Sequence, residues 1–152
     1  TIAPEATAVH LDRLAAHGER LGEDVRVRLE MGLFFPGAWY EKAQRLRCVL
    51  VRAIEGAFEG ADLLLCPTLR APAPPVGASR VDIGGRAYPL HTAVTNLTMP
   101  FNLSGLPAAS VPWTRSRDGV PISLQLVGRR GEDWRTLAAA ARLQACAPWR
   151  TA

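Results

Sequence analysis

The chain has 152 residues, of which 48% are hydrophobic, 21% charged and 7% aromatic, a size and composition that suit one folded domain and exclude disordered, collagen-like and coiled-coil classes. No apolar run approaches the ~20 residues needed to cross a bilayer, and residues 1–10 lack the basic and apolar stretches of a secretion signal, so neither membrane insertion nor export is expected. The net charge of +4 arises from 18 basic residues scattered among acids, as in Glu23-Asp24-Val25-Arg26-Val27-Arg28-Leu29-Glu30; that is a mixed solvated surface, and direct nucleic acid binding is not expected of it.

In chain order, Pro4 to about Leu14 carries Ala8, Leu11, Leu14 and Ala15 at helical spacing behind Glu5 and predicts a helix. A second helix starts near Gly22, capped by Asp24, with Val25, Leu29 and Leu33 on one face and a stop at Pro36-Gly37. The strongest periodicity follows: Trp39, Ala43, Leu46, Leu50, Ala53 and Ala57 form an apolar stripe, which predicts a long amphipathic helix with that stripe buried and Gly60 closing it. Asp62-Leu63-Leu64-Leu65-Cys66 is a short apolar run bounded by Gly60 and Pro67, the pattern of a strand covered on both faces.

Residues 69–85 have no period and read as a long loop of the kind that borders sites, with a hairpin-like turn at Val81-Asp82-Ile83-Gly84-Gly85. A helix from His91 to about Thr98 is expected to end at Pro100. Ala108–Val111 and Ile122–Val127 read as strands of a hairpin turning at Asp118-Gly119, with Leu124 and Leu126 on one face and Ser123 and Gln125 on the other. A last helix runs from Asp133, its expected N-cap, to about Ala145. The sum is an α/β layer with only three strands, few for such a sheet and a hint that the chain is part of something larger.

Chemistry-bearing patterns are sparse. The G-x-S-x-G elbow is absent; Ser104 in Asn102-Leu103-Ser104-Gly105 reads as a helix-end turn with Gly105 at positive φ and the hydroxyl bonded to nearby backbone. Lys42 lacks the serine of an S-x-x-K motif and reads as a surface lysine. His10, His17 and His91 make no H-x-x-x-H pair, and Cys48, Cys66 and Cys146 make no C-x-x-C pair, so no metal site is expected; the cysteines read as buried thiols of a reducing cytoplasm. No device for a nucleotide or other cofactor is present.

Leu103-Ser104-Gly105-Leu106-Pro107-Ala108-Ala109-Ser110-Val111-Pro112 and Gly119-Val120-Pro121-Ile122-Ser123-Leu124-Gln125-Leu126-Val127-Gly128 resemble the C-terminal region of the amidase signature family. The likeness extends through Asp24–Leu29, Tyr40–Arg45, Asp62–Thr68 and Asp133–Leu137, in the same order. It implies the C-terminal part of the amidase signature fold, a mixed β-sheet covered by helices, with residues 1–152 as a single domain. It also implies an amide hydrolase in which one serine attacks the carbonyl, a second relays a proton and a lysine acts as base; these belong to an N-terminal segment that has no counterpart in this sequence, leaving no catalytic residue here.

For the pocket, the resemblance to the family's glutamyl-tRNA amidotransferase members implies that Arg28 holds the carboxylate and Asp133 the ammonium of a glutamine donor. Phe101 and Asn102 are implied to border the substrate channel. The plain alternatives stand beside these: an Arg28–Asp24 ion pair, a helix cap at Asp133, a turn at Asn102. The implied partners are the N-terminal part of the same amidase and a small amide substrate, with a homodimer as one way to cover apolar surface left open. A tRNA-linked amidotransferase component and a non-catalytic assembly module are the competing functions.

Overall fold

A computed structural model describes residues 1–148, which divide into two compact units, Thr1–Val49 and the chain from Leu50 onward. In the first, α1 (Ile2–His17) is followed by a 3-10 turn (Gly18–Arg20), α2 (Glu23–Gly32) and the first turns of α3 (Gly37–Gly56). The α1–α2 packing is close because α2 presents Gly32: a Cβ there would collide with Thr7 Oγ1 and lie 2.6 Å from Ala3 O. The buried Thr7 hydroxyl shares its one hydrogen between Leu29 O at 2.6 Å and Ala3 O at 2.9 Å, so two helix backbones meet on one side chain. Glu5 Oε1 accepts from Tyr40 Oη at 3.0 Å and Gln44 Nε2 at 2.8 Å, tying α1 to α3.

The expected buried stripe on α3 is overturned. No α3 residue is buried; Trp39 is 66% and Leu46 61% exposed, and the half-buried positions are Tyr40, Gln44, Leu50, Val51 and Ile54 among others. An apolar stripe marks a face that would be stabilised by a partner; in this unit the polar flank of α3 meets the Glu5 carboxylate, while of the stripe only Ala43 and Leu50 are half-buried. Phe34 and Val49 are also exposed. Cys48 shares this fate and Cys146 is exposed too, with Cys66 half-buried, so the expectation of buried thiols is corrected: an apolar neighbour in sequence does not bury a thiol when that neighbour is itself exposed.

In the second unit, β1 (Leu64–Pro67), β4 (Ala108–Arg115) and β5 (Pro121–Val127) form a sheet in the order β1-β5-β4, antiparallel at both ladders. A bulge between Pro112 and Thr114 shifts the β4 register. Alternation along β5 sends side chains to two covered faces, as expected. Leu126 packs with Val111 and Ala140 under α6 (Asp133–Ala145), while Val127 packs with Phe58 and Leu106, flanked by Ile54 and Phe101, on the other side. Full burial of a side chain the size of Leu126 or Val127 stabilises by roughly 1.5–3 kcal/mol. Arg129 fastens the Phe58 corner: its Nη2 donates to Phe58 O at 2.6 Å and Ala61 O at 3.1 Å, with the guanidinium 5.3 Å from the ring centroid.

Three local expectations change. The end of the expected loop over residues 69–85, together with residues 86–89, forms a hairpin of β2 (Arg80–Ile83) and β3 (Arg86–Pro89); the turn itself is as expected, with Gly84 and Gly85 at φ of 64° and 80° and Asp82 Oδ1 accepting from Gly85 N at 3.1 Å. Pro100 does not end a helix. It sits in the first turn of α5 (Met99–Ser104), where a missing amide hydrogen costs nothing, after the shorter α4 (Leu90–Thr95). The N-cap of α6 is Glu132, not Asp133, which occupies the first turn and there favours the helix dipole.

Candidate functional site

The second unit carries a polar band on the face of the sheet opposite α6. Cys66, Gln125 and Ser110 are register partners across β1, β5 and β4. Gln125 is 4% exposed, and its Nε2 donates to Leu97 O at 3.1 Å and to Cys66 Sγ at 3.3 Å, satisfying a buried amide that would otherwise be costly. Beyond β1, Thr68 N donates to Ser123 O at 3.1 Å, so the strand's pairing continues for one residue and fixes where the following segment departs. Thr68 Oγ1 and Ser110 Oγ are hydrogen-bonded at 3.1 Å.

That departure opens a cleft of about 380 Å³, bounded by residues 68–72, Ser110 and residues 121–123. Its lining combines Thr68, Ser110 and Ser123 with Arg70 and an apolar wall of Leu69, Ala71, Pro72, Pro121 and Ile122. Arg70 is positioned by the hairpin: its Cζ lies 5.1 Å from the ring centroid of Tyr88 on β3, which Arg86 approaches at 5.4 Å. The long-loop signal of residues 69–85 pointed to this segment; Thr68, Ser110 and Ser123 lie within the blocks that carry the family resemblance without being singled out there as site residues, and Arg70 lies outside those blocks.

Of the residues expected to form a pocket, Arg28 lies exposed on α2 of the first unit. The ion pair made there is Arg26 with Glu30, at 3.8 Å; among the described residues no Arg28–Asp24 pair occurs. Phe101 and Asn102 stand side by side on α5, a helix rather than a loop. Phe101 is half-buried against Phe58, Leu106 and Val127, and Asn102 is exposed. Asp133 is exposed at the start of α6. None of the four lines the 380 Å³ cleft.

Ser104 is 2% exposed. Its hydroxyl donates to Phe101 O at 2.8 Å, its carbonyl accepts from Arg130 Nη2 at 2.9 Å, and Gly105 follows at φ 69°. This is the helix-end turn expected from the sequence, with the hydroxyl proton committed to backbone. Lys42 is exposed on α3. Among the described residues no group of three or more His, Cys, Asp or Glu is placed to hold a metal ion, and no helix is long and apolar enough to cross a membrane. In the first unit the Tyr40 phenol titrates above its ordinary 10.0, chiefly because Glu5 accepts its hydrogen bond, with burial and the Glu5 charge adding and Gln44 and Arg47 opposing.

The family model described as Amidase matches residues 6–137. The chain is 37% identical over 129 residues to a glutamyl-tRNA(Gln) amidotransferase component from Synechococcus sp. (strain CC9902), covering 81% of this chain and 25% of that protein. It is 32% identical over 126 residues to AtzE, a component of the 1-carboxybiuret hydrolase of Pseudomonas sp. (strain ADP), covering 82% and 28%. Among solved structures, one described as the crystal structure of an amidase superposes with a TM-score of 0.87 at 34% identity, over 95% of this chain and 33% of that one. A bacterial aryl acylamidase of the amidase signature family gives 0.75 at 26%, over 99% and 33%. The chain thus spans a quarter to a third of the length of these relatives.

Proposed function

The chain belongs to the amidase family, and from that premise we propose that it is the C-terminal scaffold and substrate-pocket part of an amide hydrolase whose Ser-Ser-Lys groups are carried by polypeptide outside these residues. The observation that carries this reading is the ordered match along residues 6–137 to a portion of much longer relatives. The two-faced sheet is the scaffold in this reading, and Arg28, Asp133, Phe101 and Asn102 are its contribution to the pocket. It works in the cytoplasm, with Cys48, Cys66 and Cys146 as thiols, and its apolar surface is covered by the N-terminal part of the same amidase or by a second copy. Amide hydrolysis requires an activated nucleophile and a proton carrier, and loss of such groups costs several powers of ten in rate.

The test is an assay of the 152-residue chain on small primary amides, alone and joined to an amidase N-terminal region. Turnover is expected from the joined protein and not from the chain alone. Turnover by the chain alone that Ser104→Ala abolishes would overturn the proposal.

The similarity to the Synechococcus amidotransferase component favours a second reading, an amidotransferase part that takes the amide of glutamine. Arg28 would bind the carboxylate through its planar fork and Asp133 the ammonium. Arg28→Gln is then expected to raise KM for glutamine at least tenfold while leaving small neutral amides unaffected. Equal effects on both would refute the glutamine reading.

A further inference from the structure

We propose that the cleft bounded by residues 68–72, Ser110 and residues 121–123 is a carboxylate-recognition site in which Arg70 is the recognising residue. The further step, that the amide hydrolysed by the assembled enzyme carries a carboxylate, rests on the amidase reading above.

Charge is the first argument. Arg70 is the one charged side chain lining the cleft, the rest of which is Thr, Ser, Leu, Ile, Ala and Pro. The ion pairs of the described residues engage Arg26, Arg45, Arg130 and Arg135 and leave Arg70 without a carboxylate. Its neighbourhood is net positive. Arg86 shares the Tyr88 ring with it, Arg80 donates to Ala87 O at 3.0 Å, and the hairpin sets one acid, Asp82, against these two arginines. Two guanidinium groups near one ring repel each other, and an anion between the cleft wall and Arg70 relieves that repulsion.

Geometry is the second. Attraction to the ring holds the Arg70 guanidinium in place without consuming its N–H donors, which remain for a planar acceptor. Thr68, the residue from which the Arg70 segment springs, is fixed by its backbone bond to β5 and its hydroxyl bond to Ser110, so the root of that segment is held in place before any ligand arrives. The three hydroxyls are neutral, so the site neutralises a single negative charge. That matches a carboxylate better than a phosphate dianion. The volume, about 380 Å³, falls at the low end of small-molecule sites, roughly 300–1,000 Å³, and the apolar walls suit a short aliphatic stem.

Succinamate and butyramide differ by a carboxylate in place of a methyl group and serve as the probe pair. Titrated by NMR into the full chain, succinamate is expected to shift the Thr68, Ser110 and Ser123 amides and to bind at least tenfold tighter than butyramide or inorganic phosphate. Arg70→Gln should remove that preference, Arg70→Lys should retain only part of it, and Arg117→Gln, on the exposed β4–β5 turn, should leave it unchanged; each variant is first checked for an unaltered circular dichroism spectrum. Equal binding of the two amides, tighter binding of phosphate, or a preference that survives Arg70→Gln would overturn the site. In the joined enzyme, Arg70→Gln is expected to raise KM for succinamate at least tenfold with little change in kcat, and by more than it changes KM for butyramide. Absence of any turnover there would count against the amidase reading alone, because the binding arm decides the site independently.

Discussion

The two units are built on different principles. Among the described residues, Leu29 is the buried hydrophobic of the first unit, whereas Phe58, Ala93, Leu106, Val111, Leu126, Val127, Ala140 and Ala147 are buried in the second. The helical unit is held by a glycine approach, one shared hydroxyl proton and a carboxylate that gathers Tyr40 and Gln44. The sheet unit is held by apolar packing on both faces of β5. Regular periodicity marks an apolar face without supplying its cover: α3, the most regular segment in the sequence, has no buried residue, while the short irregular stretch around Phe58 anchors a core.

The contrast is broken most directly at Phe58, which is 1% exposed. Phe58→Ala should destabilise the sheet unit by about 3–5 kcal/mol, read as faster native-state hydrogen exchange in β5; a loss below about 1 kcal/mol would show that this cluster is not the core. Gly32→Ala should act on the other unit. Its methyl has no room against Thr7 and the Ala3 carbonyl, so about 1–3 kcal/mol is expected, with exchange accelerated in α1 and α2 and unchanged in β5. Leu46→Ala, at an exposed position, should stay within about 0.5 kcal/mol in the isolated chain; a cost near that of Phe58→Ala would restore the buried stripe.

The finest probe is a titration. Because the folded pKa of Tyr40 is raised through its bond to Glu5, its contribution to stability is complete below the ordinary tyrosine pKa and is lost as pH rises through the folded value. Glu5→Gln removes the charged acceptor, and the tyrosinate absorbance should then show the Tyr40 midpoint falling towards 10.0. An unmoved midpoint would mean that Glu5 does not organise the helical unit.

Much of the sheet unit was legible. Alternating residues placed β5 and its two faces, and the boundaries of α6 follow from Asp133 through Ala145. The Ser104-Gly105 helix end was readable because a positive φ and a local hydroxyl bond are properties of adjacent residues. The β2–β3 strands were not, since four-residue segments such as Arg80–Ile83 are too short for a period and are defined by each other. The α3 positions held in the helical unit were hidden for a related reason: Tyr40 and Gln44 meet Glu5, dozens of residues away. The cleft is the extreme case, because the Thr68–Arg70 segment, Ser110 on β4 and Ser123 on β5 are far apart in sequence and are brought together by strand register.

At the tip of the β2–β3 hairpin, the backbone has the handedness of mirror-image amino acids. Gly84 and Gly85 both take positive φ, and a Cβ at either would meet nothing within 4 Å. The restriction there is stereochemical, not spatial: an L side chain would be strained by roughly 1–2 kcal/mol, although the surrounding volume is empty. A semisynthetic chain with D-alanine at one of these positions would fit the turn, narrow the conformations open to the unfolded chain and so gain on the order of 0.4–1 kcal/mol. The tip is thus disfavoured for most L residues and open to their mirror images, on the very hairpin whose Tyr88 holds Arg70.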